Sequence, residues 1–274
     1  MPELGSDRAK QLILPKLHEK KQREKSVLIF YGTGVNAWHY YPFLRQFSLQ
    51  DLQDFRAIYG ISGGAVCLWY YGLSFLGLFD SKRISRFDGE LRSLNEKIIF
   101  LRLFQFIANR YVYDTSRLAR QIESFACPEA SAIQFAEYPL SNFTAIGYDD
   151  VNKCPLFLNA KSHPRLPMGD VMASLAFPRQ IFGRKLCSPI FYSGFSISDI
   201  DFAGRGIRSG VIAELKRRHV QDDIYICNIF FGKREGNIAY IDCGHDRFPR
   251  LGQLFDLALF LLNIPNRRIE QASM

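Results

Sequence analysis

Residues 57–69 read Ala57-Ile-Tyr-Gly-Ile-Ser-Gly-Gly-Ala-Val-Cys-Leu-Trp69, and this stretch decides the fold. A short apolar run of strand character leads into Ser62 within a G-x-S-x-G pattern, and an apolar run of helical character follows at once. Glycines on both sides of a serine let a strand and a helix approach closely, and the strained turn holds the hydroxyl out in the open. The helix directs its first free N–H groups and the positive end of its dipole toward any oxyanion that forms nearby. The stretch predicts a nucleophile elbow, and the alternative is a glycine-rich packing turn.

The segments around this turn alternate between strand and helix patterns. A continuous apolar run at residues 26–31 is typical of a strand covered on both faces, and it ends in Gly32-Thr33-Gly34. Further strands are predicted at residues 57–61, 143–148, 155–159, 190–192 and 223–231, and helices at 36–46, 80–125, 168–176 and 207–218. This alternation predicts a three-layer α/β/α sandwich with a mostly parallel sheet. We expect a charged leader helix at residues 1–25, broken at Pro15, and a single α/β domain at residues 26–274.

Composition limits the classes of function. A chain of 274 residues with 47% hydrophobic content can bury a sizeable core. The net charge of +8 indicates an acidic partner, which is an anionic membrane surface, a phosphorylated substrate or nucleic acid. Nucleic acid is the weakest of the three, because the chain has neither zinc-finger spacing nor an aromatic-glycine RNA-binding signature.

Cysteine and histidine spacing gives no sign of a metal site or a disulfide framework. The six cysteines form no C-x-x-C pair and are predicted to be buried thiols, and the five histidines are scattered. We therefore expect no metal and no organic cofactor. The N-terminus has no apolar signal core, and the apolar stretch at residues 254–262 is far shorter than the about 20 residues of a spanning helix. The expectation is a cytoplasmic protein.

Several motifs, in order along the chain, resemble those of the patatin-like phospholipase family. They are the turn Gly32-Thr33-Gly34 after the first strand, the G-x-S-x-G at Ser62, the tract Tyr113-Asp-Thr-Ser-Arg-Leu118, the strand that ends at Asp149, and the A-S-x-A-x-P tract Ala173–Pro178. The resemblance covers roughly residues 26–230. It implies a patatin-like α/β fold, Ser62 as the nucleophile, and an oxyanion hole built from the N–H groups of Gly32, Thr33, Gly34 and Gly63.

One departure from the family concerns the catalytic base. The family's aspartate follows a short strand after the A-S-x-A-x-P tract, and Ser193 stands at that place here. A hydroxyl does not accept the Ser62 proton as a carboxylate does. The general-base contribution to the rate, typically about 10² to 10⁴-fold, should therefore be reduced or lost. Three explanations are open: Asp199 or Asp201 replaces the missing aspartate, His39 serves as the base rather than as a packing residue, or turnover is lost.

A second departure lies in the oxyanion turn, where Asn36 and Ala37 stand at positions that the family commonly gives to arginine and glycine. The main-chain donors do not depend on those side chains, so the loss is confined to electrostatic help from the arginine.

The leading hypothesis is a serine acyl hydrolase or acyltransferase that acts on a lipid or another acyl ester. The alternative is a catalytically impaired protein of this fold that binds lipid or a partner without turnover, and a third is an enzyme that needs a partner factor to order its site. The apolar and basic stretch Phe248–Phe260 suits peripheral contact with an anionic membrane, or an ordinary amphipathic helix over the core.

Overall fold

The structure is a computed structural model that describes part of the chain. The described residues are 14–31, 39–79, 128–149, 154–176, 179–181, 184–187, 211, 213–228 and 233–243. The predicted helix at 80–125, the predicted strand at 190–192 and the segment 248–260 lie outside these ranges.

In the described ranges, nine strands form one mixed sheet. The strands are β1 (Ser26–Phe30), β2 (Ala57–Ile61), β3 (Phe143–Asp149), β4 (Cys154–Asn159), β5 (Arg179–Ile181), β6 (Arg184–Cys187), β7 (Asp223–Asn228), β8 (Lys233–Glu235) and β9 (Ile238–Asp242). Their order is β5-β6-β3-β2-β1-β7-β9-β8, with β4 paired to β3. The five central strands from β3 to β9 are parallel, whereas β4, β6, β5 and β8 join by antiparallel pairing. The protein therefore has an α/β fold with a parallel centre and antiparallel flanks.

Helices connect and cover these strands. They are α1 (Lys20–Arg23), α2 (Tyr41–Leu44), α3 (Leu49–Gln53), α4 (Gly63–Phe75), α5 (Pro128–Ala132) and α6 (Met168–Ala176). Residues 14–17 and 213–218 are helical as well. Among the helices of the described ranges, none has the length and apolar character that crossing a bilayer requires.

Two hydrophobic clusters lie on opposite faces of the sheet. Leu28 and Phe30 of β1 belong to the larger cluster, which contains the buried side of α4, while Val27 and Ile29 belong to the smaller one, which contains Val211. Alternation along a strand sends neighbouring side chains to opposite faces, so the five residues of β1 are buried on both. This arrangement confirms the prediction of a strand covered on each side.

The leader segment is held to helix α3 by a cluster of ion pairs around a buried arginine. Arg23 is only 5% exposed, and its guanidinium lies 2.6 Å from Asp51 Oδ1 and 2.9 Å from Asp54 Oδ2. The same group donates to the carbonyls of Leu17 and His18. Leu17 itself is fully buried in the larger cluster. The described part of the leader is thus joined to α3 and to the core.

Several elements differ from the sequence-based expectation. The helix predicted at residues 36–46 is observed in the described range as a 3-10 turn at 39–40 and the short helix α2. Helix α3 was not predicted, although Ser48 and Asp51 form a reciprocal capping box at its start. Four strands were not predicted either: β5, β6, β8 and β9. The first three have only three or four residues each, and the residue pattern of β9 did not distinguish it from the segments around it.

Candidate active site

Ser62 joins the central strand β2 to helix α4 in a strained backbone conformation. Its φ of 52° and ψ of −128° make it the one non-glycine residue with positive φ among those described. Such a conformation costs of the order of 1–3 kcal/mol in a residue with a side chain, and it persists where the surrounding structure imposes it. The predicted sharp turn at this serine is therefore confirmed for the backbone.

The two glycines that flank Ser62 are required by close backbone packing. A Cβ at Gly60 would lie 2.5 Å from Ala65 Cα, and a Cβ at Gly64 would lie 2.3 Å from the Phe30 carbonyl oxygen. Real Cβ atoms do not approach other atoms so closely. Gly60 lets the helix fold back on its own strand, and Gly64 lets the first turn of α4 contact the end of β1.

The beginning of α4 offers main-chain donors close to Ser62. The Ser62 carbonyl accepts the amides of Ala65 and Val66 at 2.9 and 3.2 Å, which starts the helix. The amides of Gly63 and Gly64 precede the first residue that has an acceptor four positions back within the helix. Ser62 makes no side-chain capping bond to this helix, so its hydroxyl is not engaged in capping.

Tyr31, the residue before the predicted oxyanion turn, lies beside these donors. The Tyr31 carbonyl oxygen would lie 2.8 Å from a Cβ at Gly64, and Tyr31 is directly followed by Gly32 in the chain. The Tyr40 hydroxyl donates to the same carbonyl at 2.8 Å. This bond ties together the two sides of segment 32–38, whose residues Gly32, Thr33 and Gly34 lie outside the described ranges.

The exposure of Ser62 corrects the expectation of an open hydroxyl, because the residue is only 3% exposed. β3 pairs with β2 along residues 143–146 on one edge and with β4 along its other edge. Tyr148 and Asp149 pair with β6, which must occupy the edge that β2 has left. The β6 backbone therefore lies just beyond the end of β2, on the same edge of β3.

The A-S-x-A-x-P tract lies in the same region. Its first four residues, Ala173–Ala176, end helix α6, and this helix packs against α4, β5 and β6. Gly169 permits the contact between α6 and α5, since a Cβ there would lie 2.7 Å from Ser131 Cβ. The helix predicted at 168–176 is thus confirmed with the same bounds, and it borders the elbow helix.

The candidate bases are only partly described. Ser193, Asp199 and Asp201 lie outside the described residues, and so does Tyr113–Leu118. His39 is buried at 8% exposure. It precedes Tyr40, whose hydroxyl donates to the Tyr31 carbonyl. A carboxylate that the sequence reasoning left without a role lies in this region: Asp149, at the end of β3, is 0% exposed.

A second polar cluster lies on the other face of the sheet. The Tyr59 hydroxyl lies 2.8 Å from His219 Nε2, and His219 Nδ1 lies 2.8 Å from Asp222 Oδ2. Arg56 approaches the same carboxylate at 3.4 Å. Burial, which is partly offset by Arg218, raises the pKa of the Tyr59 hydroxyl. The cluster joins β2 to the end of helical segment 213–218, and it was missed because 160 residues separate the tyrosine from the histidine.

Within the ranges that the structure describes, no group of three or more histidine, cysteine, aspartate or glutamate residues is arranged to hold a metal ion. The chain matches no model of a known protein family, and it matches no curated protein.

Proposed function

We propose that this chain is a patatin-like serine acyl hydrolase, a lipase, phospholipase or acyltransferase, that acts on a lipid or another acyl ester through Ser62. In this proposal the mixed sheet and its helices form the three-layer α/β/α sandwich of that family. The two clusters on opposite sheet faces support this architecture.

The observation that carries the proposal is the backbone of Ser62. A positive φ at a serine between a central parallel strand and the start of a helix is the conformation that a nucleophile elbow needs. A purely structural turn with two neighbouring glycines has no need to place the strain on the one residue that carries a hydroxyl. The strain is instead useful when that hydroxyl must face the amides at a helix start.

The proposed chemistry is acyl transfer. Ser62 attacks the acyl carbonyl, and the N–H groups of Gly63 and of Gly32, Thr33 and Gly34 stabilise the negative charge on the carbonyl oxygen. Removal of one such donor typically costs about 10² to 10³-fold in rate. An interior site also suits an acyl chain, because apolar substrate gains free energy when it leaves water. The net charge of +8 supports an anionic membrane as the source of the substrate.

The direct test is covalent labelling with a fluorophosphonate probe. We expect the wild-type chain to be labelled and Ser62→Ala to remain unlabelled. Ser74→Ala is the matched control, because Ser74 lies in the same helix and donates its hydroxyl hydrogen to the Tyr71 carbonyl. This variant should be labelled at the wild-type rate.

The alternatives give different outcomes in the same experiment. A protein that binds lipid without turnover leaves the wild type unlabelled while it retains a fluorescent fatty acid. An enzyme that needs a partner factor is labelled only when cell extract is added. Equal labelling of wild type and Ser62→Ala contradicts the proposal, because the probe would then react at another residue.

A further inference from the structure

Asp149 is a completely buried carboxylate at the carboxyl end of β3, the strand next to the one that presents Ser62. The function proposed above requires a group that accepts the Ser62 proton, and Ser193 cannot do so. We infer that Asp149 is the general base for Ser62, an inference that rests on the proposed function. It places the base on the neighbouring strand rather than at residues 199 or 201.

The sheet register brings the two residues within reach. Ile61 pairs with Ile146, so Ser62 stands level with Gly147, two residues before Asp149. Neighbouring strands are about 4.8 Å apart and each residue advances about 3.3 Å, so the two Cα atoms are about 8 Å apart. A serine and an aspartate whose side chains point toward each other form a hydrogen bond across such a distance, directly or through one water molecule.

Strand alternation places Asp149 on the correct face. Phe143 and Ala145 belong to the larger hydrophobic cluster, whereas Ile146 belongs to the smaller one. Asp149 shares the odd positions of Phe143 and Ala145, so its side chain lies on the sheet face that carries α4. Ser62 opens α4 on that same face.

The backbone around Asp149 shields the pair from bulk water. Asp149 pairs with Cys154 of β4 on one side and with Leu186 of β6 on the other. β6 takes the place that β2 would occupy beyond Ser62. The carboxylate is completely buried and Ser62 is only 3% exposed, so both groups lie in the interior of the protein.

The acylation step is a balanced proton relay. The Ser62 proton passes to Asp149 as the bond from Oγ to the acyl carbon forms, and the carbonyl electron pair moves onto its oxygen. When the carbonyl re-forms, the bond to the alcohol breaks, and Asp149 returns the proton to the departing alkoxide. Water repeats the sequence in deacylation: it gives a proton to Asp149, and Ser62 recovers that proton when its oxygen leaves.

The test is the rate of fluorophosphonate labelling in carboxylate variants. Asp149→Asn keeps the shape of the side chain and removes the base, so labelling of folded protein should slow by about 10² to 10⁴-fold. Asp149→Glu should recover part of the rate, because it restores a carboxylate. Asp170→Asn, a change at an exposed carboxylate in the first turn of α6, should match the wild type.

Two results overturn the inference. The first is an Asp149→Asn protein that is folded and labelled within threefold of the wild-type rate. The second is an Asp199→Asn/Asp201→Asn double variant that folds and loses labelling, and it decides the matter even if Asp149→Asn does not fold. Failure of the proposed function is distinguishable, because a wild-type chain without labelling at Ser62 contradicts both proposals.

Discussion

Gly64 is the position where the elbow depends most on the absence of a side chain, and Gly64→Ala tests this dependence. The added Cβ would lie 2.3 Å from the Phe30 carbonyl oxygen and 2.8 Å from that of Tyr31. Ordinary contact begins near 3.4 Å, so α4 must move about 1 Å away from β1. Both opposing atoms are main-chain oxygens, one at the last residue of the fully buried β1 and one at the residue that follows it, so neither can turn aside as a flexible side chain would.

The magnitude follows from two opposing terms. Overpacking a rigid site costs about 1–3 kcal/mol or more, while alanine gains up to about 1 kcal/mol over glycine as a helix former. We therefore expect Gly64→Ala to lower the free energy of unfolding by about 1–2 kcal/mol. The same shift moves Ser62 relative to the oxyanion donors, and a misplacement of about 1 Å costs of the order of 10²-fold in rate.

Urea unfolding and the fluorophosphonate labelling rate measure the two effects. The control is Gly77→Ala, since Gly77 follows the end of α4, has a φ of +69° and has no atom within 4 Å of an added Cβ. Gly77→Ala should lower the free energy of unfolding by about 1–2 kcal/mol, because alanine is strained at this positive φ. The labelling rate of the folded control should be unchanged. If Gly64→Ala unfolds at the wild-type urea concentration and is labelled at the wild-type rate, the close approach of α4 to β1 is wrong.

Two further predictions concern strain and ionisation. Ser62→Gly should abolish labelling, because the hydroxyl is lost. It should also raise the free energy of unfolding by about 1 kcal/mol, because glycine adopts a positive φ without strain. If urea unfolds this variant more easily than the wild type, the turn is not strained. The Arg23 hydrogen bond holds the pKa of the Asp54 carboxyl below its ordinary value, so this carboxylate stabilises the fold above about pH 4 and loses that contribution as the pH falls through its folded pKa. Arg23→Met should lower the free energy of unfolding by about 3 kcal/mol at pH 7 and make its decline below pH 4 shallower, as followed by urea titration from pH 7 to pH 3. An unchanged decline in that variant would show that other carboxylates govern acid sensitivity.

The elements around the elbow were predictable because their signals are local. β1 is a short apolar run, β2 and α4 are joined by a glycine-flanked serine, and α6 carries helical spacing over nine residues. Each pattern lies within a short continuous stretch of the chain, so it can be detected in the sequence without knowledge of the segments that pack against it. The capping box at Ser48 and Asp51 belongs to the same class of signal and would have revealed α3.

The features that were missed depend on contacts between distant segments. Whether the end of β3 lies beside Ser62 is decided by the pairing of Ile61 with Ile146, and nothing in either strand states this register. Ser62 is only 3% exposed and β6 pairs with β3 beyond the end of β2, and a sequence pattern encodes neither feature. Spacing alone thus identified the nucleophile candidate but not Asp149, whose pairing neighbours come from two other strands, β4 and β6.

The central claim is that the Ser62 hydroxyl attacks an acyl or phosphonyl centre. Mass spectrometry of the proteolysed chain after fluorophosphonate treatment tests it most directly, because it locates the adduct on a single residue. The account predicts one adduct, on Ser62, in a protein that is folded during the reaction. An adduct at any other residue, or a folded chain that carries none with and without cell extract, contradicts it.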